Sequence, residues 1–399
     1  MDYGSFVNES LKKFRELPEE TSELYKKDFI SIPLEYYSFD ETVTDAKEVA
    51  DATSKTVGEK FDLIVYGNGA CTSDCKYVST CPMSRINVEK RMIKSDSSRI
   101  AAFVNANGRN AINIDIPSGI NAKISVLFAG LNGVIGNIFV NVGSNAHLEL
   151  NELYVSRSER KSVLAAAHEI AVEDNASLSI NAIHNEDRET FSLNITEARA
   201  GANSRIKSNS VYVGSAYTKA KTLLQLNGEG SYGDFRESML TSQAQKLDIE
   251  TEVNNIGKRS EAKLESRAVL MDSSMCYMKG FARLSKGAKG AISDVTEKCI
   301  KLDRSAIVKA MPDMSIEEND VKAKHASSTD LVEGDKLFYL LSRGMTQEDA
   351  RQLIVEGFLN ANMQHISDER FRNVAATISE KKAKTKEFGS IDILEEVVE

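Results

Sequence analysis

The sequence contains no tryptophan, only five prolines and five cysteines, and few aromatic residues, which make up 7% of its 399 residues. The low aromatic content argues against a densely aromatic core. So few prolines exclude a proline-rich linker protein and a collagen-like chain. The length predicts two or three folding units, or one elongated unit.

Five cysteines are too few, and odd in number, for a small disulfide-stabilised secreted protein. No secretory leader is expected, because residues 1–14 mix acidic and basic side chains. We therefore expect a cytoplasmic protein whose thiols are free or bind metal. The net charge of −9 disfavours nucleic acid as a general partner.

One stretch, residues 124–148, contains no Asp, Glu, Lys or Arg. A transmembrane helix needs roughly 20 apolar residues, but this stretch contains four Asn and four Gly. Buried amides would be costly in hydrocarbon, and Leu131-Asn132-Gly133 indicates a turn. We predict buried strands joined by turns, and no membrane association.

Residues from about 60 to 310 alternate short β-prone runs with Asn, Gly, Ser and Asp, as in Ile112–Ile116 and Phe191–Ile195. No long helical pattern interrupts them. A turn pair ending in Ala recurs at Asn121-Ala122, Asn145-Ala146, Asn175-Ala176, Gly201-Ala202, Glu261-Ala262 and Gly287-Ala288. The spacings of 24, 30, 26, 60 and 26 residues indicate a repeat typical of a coiled β-solenoid. A β-sandwich with similar turn spacing is the alternative.

Helical patterns flank this region. The expected units are a helical segment at 1–60, a cysteine-containing loop region at 61–90, a β core at 91–320 and a C-terminal helical domain at 321–399. Thr21–Tyr25 is predicted to open a second short helix in the first unit. In the last, Asp335–Ser342 is predicted as a helix closed by Arg343-Gly344. Thr346–Asp349 then starts another helix with a capping-box-like motif, and a third runs from about residue 368 to 386.

Cys71, Cys75 and Cys81 lie within eleven residues. Thiolates bind soft metals and iron–sulfur clusters, so this group is a candidate second metal or cluster site. The spacing matches neither zinc C-x2-C pairs nor the ferredoxin motif, and an inert surface loop is the alternative. Taken alone, Cys276 and Cys299 are each typical of a buried core thiol.

The histidines give weaker signals. His147-Leu-Glu149 and His184-Asn-Glu186 place two polar side chains on one face of a strand. Without a following P-C-x-x-C the zinc-deaminase interpretation fails, and exposed polar pairs are predicted instead. His168 and His365 show no obvious partner. The sequence contains no H-E-x-x-H and no phosphate-binding G-x-x-x-x-G-K-[ST] motif.

The segments Val321–Ser328, Leu337–Gly344 and Ile354–Phe358 together resemble the C-terminal signature of the SufB/SufD family of the Suf iron–sulfur cluster assembly system. Thr296-Glu-Lys-Cys299 is similar to the family's aromatic-Thr-Gln-Cys strand in SufB. The chain as a whole resembles an archaeal or minimal-type SufB-like protein. The resemblance implies a right-handed parallel β-helix with N-terminal and C-terminal helical segments. It also implies a non-enzymatic scaffold on which a transient iron–sulfur cluster is built, while a SufC-type ABC ATPase hydrolyses ATP.

The same resemblance implies the site residues. Cys299 matches the cysteine that SufB-type members need, and His325 matches the His of a His-Glu-Ala or His-Gly-Ala motif. The Glu of that motif is Ala326 here, which is closer to SufD, so Glu317 and Glu318 are the nearby substitutes for a cluster-binding carboxylate. ATPase docking is expected on the C-terminal helices, through Leu337, Phe338, Tyr339, Arg343, Gly344 and Phe358.

Cys299 and His325 are 26 residues apart, about one coil of the repeat. We therefore predict that they stack on adjacent rungs and act at one site. A SufB-like cysteine with a SufD-like histidine motif predicts that the chain pairs with a second copy as a homodimer. A SufD-like structural partner that holds no cluster is the alternative. A β-helix carbohydrate enzyme is disfavoured by the C-terminal signature and the expected lack of a leader.

Overall fold

A computed structural model describes residues 2–17, 43–58, 60–130, 133–158, 160–332, 335–387 and 389. The helices of the described residues are α1 (Tyr3–Glu16), α2 (Val43–Val57), α3 (Arg99–Asn107), α4 (Asp335–Ser342), α5 (Gln347–Met363) and α6 (Glu369–Thr385). Their strands are β1 (Leu63–Tyr66), β2 (Ala70–Ser73), β3 (Val78–Pro82), β4 (Asn110–Ile116), β5 (Asn121–Gly130), β6 (Val134–Val142), β7 (His147–Ser156), β8 (Ser162–Val172), β9 (Ser177–Asn185), β10 (Thr190–Ala200), β11 (Arg205–Tyr212), β12 (Tyr217–Leu226), β13 (Tyr232–Thr241), β14 (Lys246–Asn255), β15 (Glu261–Leu270), β16 (Met275–Leu284), β17 (Ile292–Lys301), β18 (Ile307–Ala310), β19 (Asp313–Ile316) and β20 (Lys322–Leu331).

The strands form a two-sided solenoid of about eight turns. One sheet, sheet A, has the order β2-β1-β5-β7-β9-β11-β13-β15-β17-β20. The other, sheet B, has the order β18-β16-β14-β12-β10-β8-β6-β4-β3, with β19 also on β16. Successive coils pair in parallel, and only the pairs β1–β2 and β3–β4 are antiparallel among the described strands. The parallel ladders confirm the solenoid and exclude the antiparallel sandwich.

From β5 onward each coil of sheet A spans 26 to 31 residues, as the pairs Asn121–His147 and Glu261–Ile292 show. Four of the predicted turn pairs lie at corners between strands, namely Asn145-Ala146, Asn175-Ala176, Gly201-Ala202 and Gly287-Ala288, whereas Asn121-Ala122 and Glu261-Ala262 begin β5 and β15. Asn145 and Asn175 occupy the left-handed region with φ of 60° and 59°, a conformation that Asn tolerates better than most residues. Ala146 and Ala176 follow them and are buried. The predicted turns are therefore confirmed at four of the six pairs.

Helices cover parts of the outer faces of both sheets. Phe14 of α1 and Phe103 of α3 pack in a cluster with Leu193 and Ile195 on the outer face of sheet B. On sheet A, a second cluster joins α2, α5 and α6 to outward side chains near the strand ends, such as Val211. Of the helices in the described ranges, none is long and apolar enough to cross a membrane. Residues 124–148 form β5, β6 and the start of β7, as predicted, apart from Leu131 and Asn132, which lie outside the described residues.

The predicted helix ends in the C-terminal region are confirmed. Gly344 has a φ of 89° just after α4, and the Thr346 hydroxyl accepts a hydrogen bond from the Asp349 amide at the start of α5. Helix α6 begins after Asp368, whose side chain accepts from the amide of Phe371. The predicted helix at Thr21–Tyr25 lies outside the described residues.

Two expectations about the β region are wrong. Helix α3 interrupts it, and sequence patterning missed this helix because residues 100–106 are all buried and leave no polar face to show a helical period. The last strand, β20, lies beyond the expected boundary at residue 320. Nine of its ten residues are exposed, so it lacks the alternation by which the earlier strands are recognised.

Candidate functional site

Cys299 points into the interior of the solenoid, one strand from the end of sheet A. Burial alternates along β17, and the Cys299 side chain is only 2% exposed. Its partner across the ladder is Thr329 of β20, whose side chain hydrogen-bonds the thiol. Burial raises the pKa of Cys299 to about 12. The thiol is therefore protonated at neutral pH, and its reaction with sulfur or a metal requires that the proton leave.

Two further titratable groups share this part of the interior. Glu297, two residues before Cys299 on the same face, is buried and accepts a hydrogen bond from the Gly280 amide at 2.6 Å. Burial raises the pKa of Glu297 to about 8. The Cys276 Sγ lies 3.5 Å from the Met239 Sδ, and burial, with a smaller contribution from Cys299, raises the pKa of Cys276. Cys276 is thus the buried core thiol that its sequence context predicts.

His325 lies on the strand next to Cys299 but does not stack on it. In the ladder between β17 and β20, His325 pairs with Val295 and Cys299 pairs with Thr329. The four-residue offset corresponds to about 13 Å along the strand. The predicted stacking is therefore wrong, because the local coil is 30 residues long rather than 26. His325 is exposed, on the outermost strand of the sheet.

Glu317 and Glu318 lie in the turn before β20, away from Cys299. Glu317 forms an ion pair with Arg283 at 3.1 Å. Glu318 accepts hydrogen bonds from backbone amides, that of Gly287 among them, and these lower the pKa of its carboxyl group. Thr329, the partner of Cys299, is seven residues beyond the start of β20, or about 23 Å along the strand. The structure does not bring either carboxylate to Cys299.

The cysteine-containing region at 61–90 is part of the solenoid rather than a free loop. Cys71 lies on β2 and Cys81 on β3, while Cys75 lies in the turn between these strands. All three are partly buried and free of disulfides. Burial raises the pKa of Cys71 to about 11. Across the described ranges, no three His, Cys, Asp or Glu side chains converge in a geometry suited to a metal ion.

The C-terminal helices expose an apolar surface. Phe338 and Tyr339 of α4 are 72% and 56% exposed, and Leu353 of α5 is also exposed. Phe358 differs, because it is half-buried and its ring lies under the Arg267 guanidinium at 5.2 Å. Arg267 also donates a hydrogen bond to the Phe358 carbonyl. Phe358 therefore attaches α5 to the solenoid, while Phe338 and Tyr339 are available to a partner.

A second polar cluster lies deeper in the solenoid, and sequence reasoning missed it. His168 bonds Glu152 at 3.0 Å, and His184 bonds Glu186 at 3.3 Å, with all four side chains buried. The expectation that His184 and Glu186 form an exposed pair is wrong. The signal was available: His184 is an even number of residues after the buried Ala176, so both share the inward face of β9.

Residues 127–358 match the family model for the "SUF system FeS cluster assembly, SufBD core domain", which covers more than half of the chain and the strands β6 to β20. The chain belongs to the SufBD family. Its parallel solenoid carries Cys299 and His325 on the last two strands of sheet A, within the matched region. Membership of this family indicates that the chain has a role in iron–sulfur cluster assembly.

Curated members of the SufBD family are similar to parts of this chain. The iron–sulfur cluster assembly protein SufD of Bacillus subtilis is 28% identical over 235 residues, which cover 58% of this chain and 54% of that protein. A SufBD family protein of Synechocystis is 28% identical over 202 residues, or 49% and 42% of the two chains. A chloroplastic member from Arabidopsis thaliana is 27% identical over 170 residues, or 43% and 30%. The chain therefore spans about half or less of the length of these relatives.

Proposed function

We propose that this protein is a cytoplasmic scaffold for iron–sulfur cluster assembly that works with a SufC-type ABC ATPase. The cluster is cargo, assembled and passed on, and ATP hydrolysis belongs to the partner. The observation that carries the proposal is the position of Cys299. Its thiol faces the interior one strand from the end of sheet A, and among the described residues the exposed strand β20 lies between the thiol and that end.

A thiolate is the stronger nucleophile at this end, so Cys299 receives sulfur and His325 contributes an imidazole ligand. Within one chain these two groups are about 13 Å apart along the strands. A second copy docked on β20 completes the ligand set, because His325 is exposed there. A long, exposed edge strand is itself a pairing surface. We therefore propose a homodimer joined at the β20 end.

The ATPase docks on the exposed apolar side chains of α4 and the start of α5. Phe338 and Tyr339 are large and exposed, and aromatic anchors of this kind dominate the binding energy of many interfaces. Arg343 lies over the Tyr339 ring at 5.2 Å and adds a cation at the rim of the surface.

A SufD-like structural partner is the second candidate function. Ala326 occupies the position of the SufB glutamate, and the similar protein of Bacillus subtilis is named SufD. The lack of three converging ligand residues in the described part of the chain is also what a purely structural partner requires. In this role the protein braces the ATPase and holds no cluster.

Anaerobic reconstitution with iron and sulfide, read by absorbance and Mössbauer spectroscopy, tests the proposal. We expect wild type to acquire a cluster, Cys299→Ala to lose it while it keeps the dimer and ATPase contacts, and His325→Ala to lose it in part. Cys276→Ala is the matched control, because it removes a buried thiol from the same interior. Equal cluster content in wild type and Cys299→Ala would overturn the site. Wild type that binds the ATPase but acquires no cluster would favour the SufD-like role.

A further inference from the structure

Two buried histidines lie inside the middle coils of the solenoid, and each is paired with a buried carboxylate. The His168 Nε2 is 3.0 Å from the Glu152 Oε1, and the His184 Nδ1 is 3.3 Å from the Glu186 Oε1. All four side chains are at least 95% buried. Charged side chains are rarely buried so completely without a functional or structural reason.

Neighbouring side chains hold both pairs in place. Tyr154 donates a hydrogen bond to the second Glu152 oxygen at 2.8 Å, and Ser192 donates to Glu186 at 2.7 Å. The His184 ring is stacked between the rings of Tyr154 and Tyr212, with centroids 4.2 Å and 4.6 Å away. The stack follows the ladder of sheet A, so it fixes the plane of the His184 ring.

Both histidines line the same interior cavity of about 50 Å³. A water molecule has a share of about 30 Å³ in the liquid, so the cavity has room for a metal ion with one or two water molecules. Asn194 also lines this cavity, and its buried Oδ1 has no hydrogen-bond partner within the described ranges. A buried carbonyl oxygen without a donor is costly, and a cation or its bound water would satisfy it.

We propose that this cavity is a binding site for a divalent first-row transition-metal ion, held by the imidazoles of His168 and His184 and the amide oxygen of Asn194. Metal-binding histidines commonly give their other ring nitrogen to a carboxylate, which fixes the tautomer and strengthens the ligand. Both histidines that line this cavity have that arrangement. Imidazole nitrogen with amide oxygen suits Fe²⁺, Zn²⁺ or Co²⁺ better than Ca²⁺ or Cu⁺. Water fills the coordination positions that remain.

The site is separate from Cys299 and does not depend on the proposed scaffold function. His184 lies on β9 and Cys299 on β17, four strands apart in sheet A, which corresponds to about 19 Å along the solenoid axis. The ladder places His184, Tyr212, Met239, Ala268 and Cys299 in one inward column. A metal bound at His184 therefore occupies the same interior as the Cys299 thiol, several coils away.

Histidine-selective NMR tests this site, because the chain has only five histidines. The full chain is labelled with ¹⁵N-histidine in a background in which serine replaces Cys71, Cys75 and Cys81. Zn²⁺ is then added either to the folded protein or during refolding. We expect the ring signals of His168 and His184 to shift while that of His147 stays in place. His147 lies on the outer face of β7, bonded to Ser177 at 2.8 Å.

Zinc retained after passage over a chelating resin gives the second readout. We expect His184→Gln to retain one equivalent of zinc fewer than His147→Gln. The zinc affinity of Glu186→Gln should be 10- to 100-fold weaker than that of the unsubstituted site, since this variant loses only the carboxylate bonded to the His184 ring. Thermal unfolding without metal shows whether each variant folds. Unchanged His168 and His184 signals under both loading conditions would overturn the proposal. Equal zinc content in His184→Gln and His147→Gln would overturn it as well.

Discussion

Lys382 is the buried contact that attaches α6 to the solenoid, and its replacement gives the most direct test of how the C-terminal helices are held. Its side chain is 1% exposed. The amine donates to the carbonyls of Val213 and Leu240 and to the side-chain oxygen of Gln245. Three acceptors match the three N–H donors of an ammonium group, although burial holds the pKa of Lys382 well below its usual range.

The Lys382→Met substitution keeps the length of the side chain and removes every N–H donor of the amine. Each buried acceptor left without a donor costs about 1–3 kcal/mol, and loss of the desolvation cost of the amine offsets part of this. We expect α6 docking to weaken by about 3 kcal/mol, which is a factor of about 100 in the population of the undocked helix. Amide hydrogen exchange in α6 should accelerate by the same factor, while strands β9 to β15 stay protected.

The matched control is Lys384→Met, two residues away, which removes only an exposed ion pair with Glu380. The pH dependence is a second check. Between the lowered pKa of Lys382 and about 10.4 the unfolded chain binds more protons, so the free energy of unfolding should rise with pH in wild type. This rise should flatten in Lys382→Met. If exchange in α6 is the same in both variants, the amine does not hold the helix.

Two further predictions concern the expected partner surface and the clustered thiols. Phe338→Asp should abolish co-purification with the cognate ATPase and leave the solenoid folded. Phe358→Asp should also loosen α5, because the Phe358 ring packs under Arg267. Normal ATPase binding by Phe338→Asp would contradict the proposed docking surface. If Cys71, Cys75 and Cys81 form a second metal or cluster site, their replacement by serine should remove bound iron, measured by elemental analysis. Unchanged iron content and spectra would show that these thiols are inert.

The solenoid could be predicted from the sequence because its signals are local. Turn corners need residues that tolerate the left-handed region, and Asn145 and Asn175 meet that need in successive coils. Period-two alternation reports burial on one face, as in β14, where every second residue is buried. Neither signal depends on contacts between distant parts of the chain. Helix α3 and the exposed strand β20 lack such signals and were missed.

The two H-x-E motifs show where local patterning stops. His147-Leu-Glu149 and His184-Asn-Glu186 have the same pattern, yet the first faces outward and the second inward. The difference is the number of residues between each motif and its turn. His147 directly follows the inward Ala146, whereas His184 follows Ala176 at an even distance. A shift of one residue in a strand exchanges its two faces, so motif identity alone cannot assign burial.

The prediction that Cys299 and His325 stack on adjacent strands is wrong for a related reason, which concerns the register between coils and not within one strand. A 26-residue separation equals one coil in the early part of sheet A, where Asn121 pairs with His147. Near the end of the sheet the coil is 30 residues, and Cys299 pairs with Thr329. Because each residue advances a strand by about 3.3 Å, four extra residues move the partner by about 13 Å. Coil lengths that vary by a few residues still specify a solenoid, whereas a ligand pair requires the register of one particular coil. Residues that meet within a single strand or turn are therefore predictable here, and those that meet across coils require the structure.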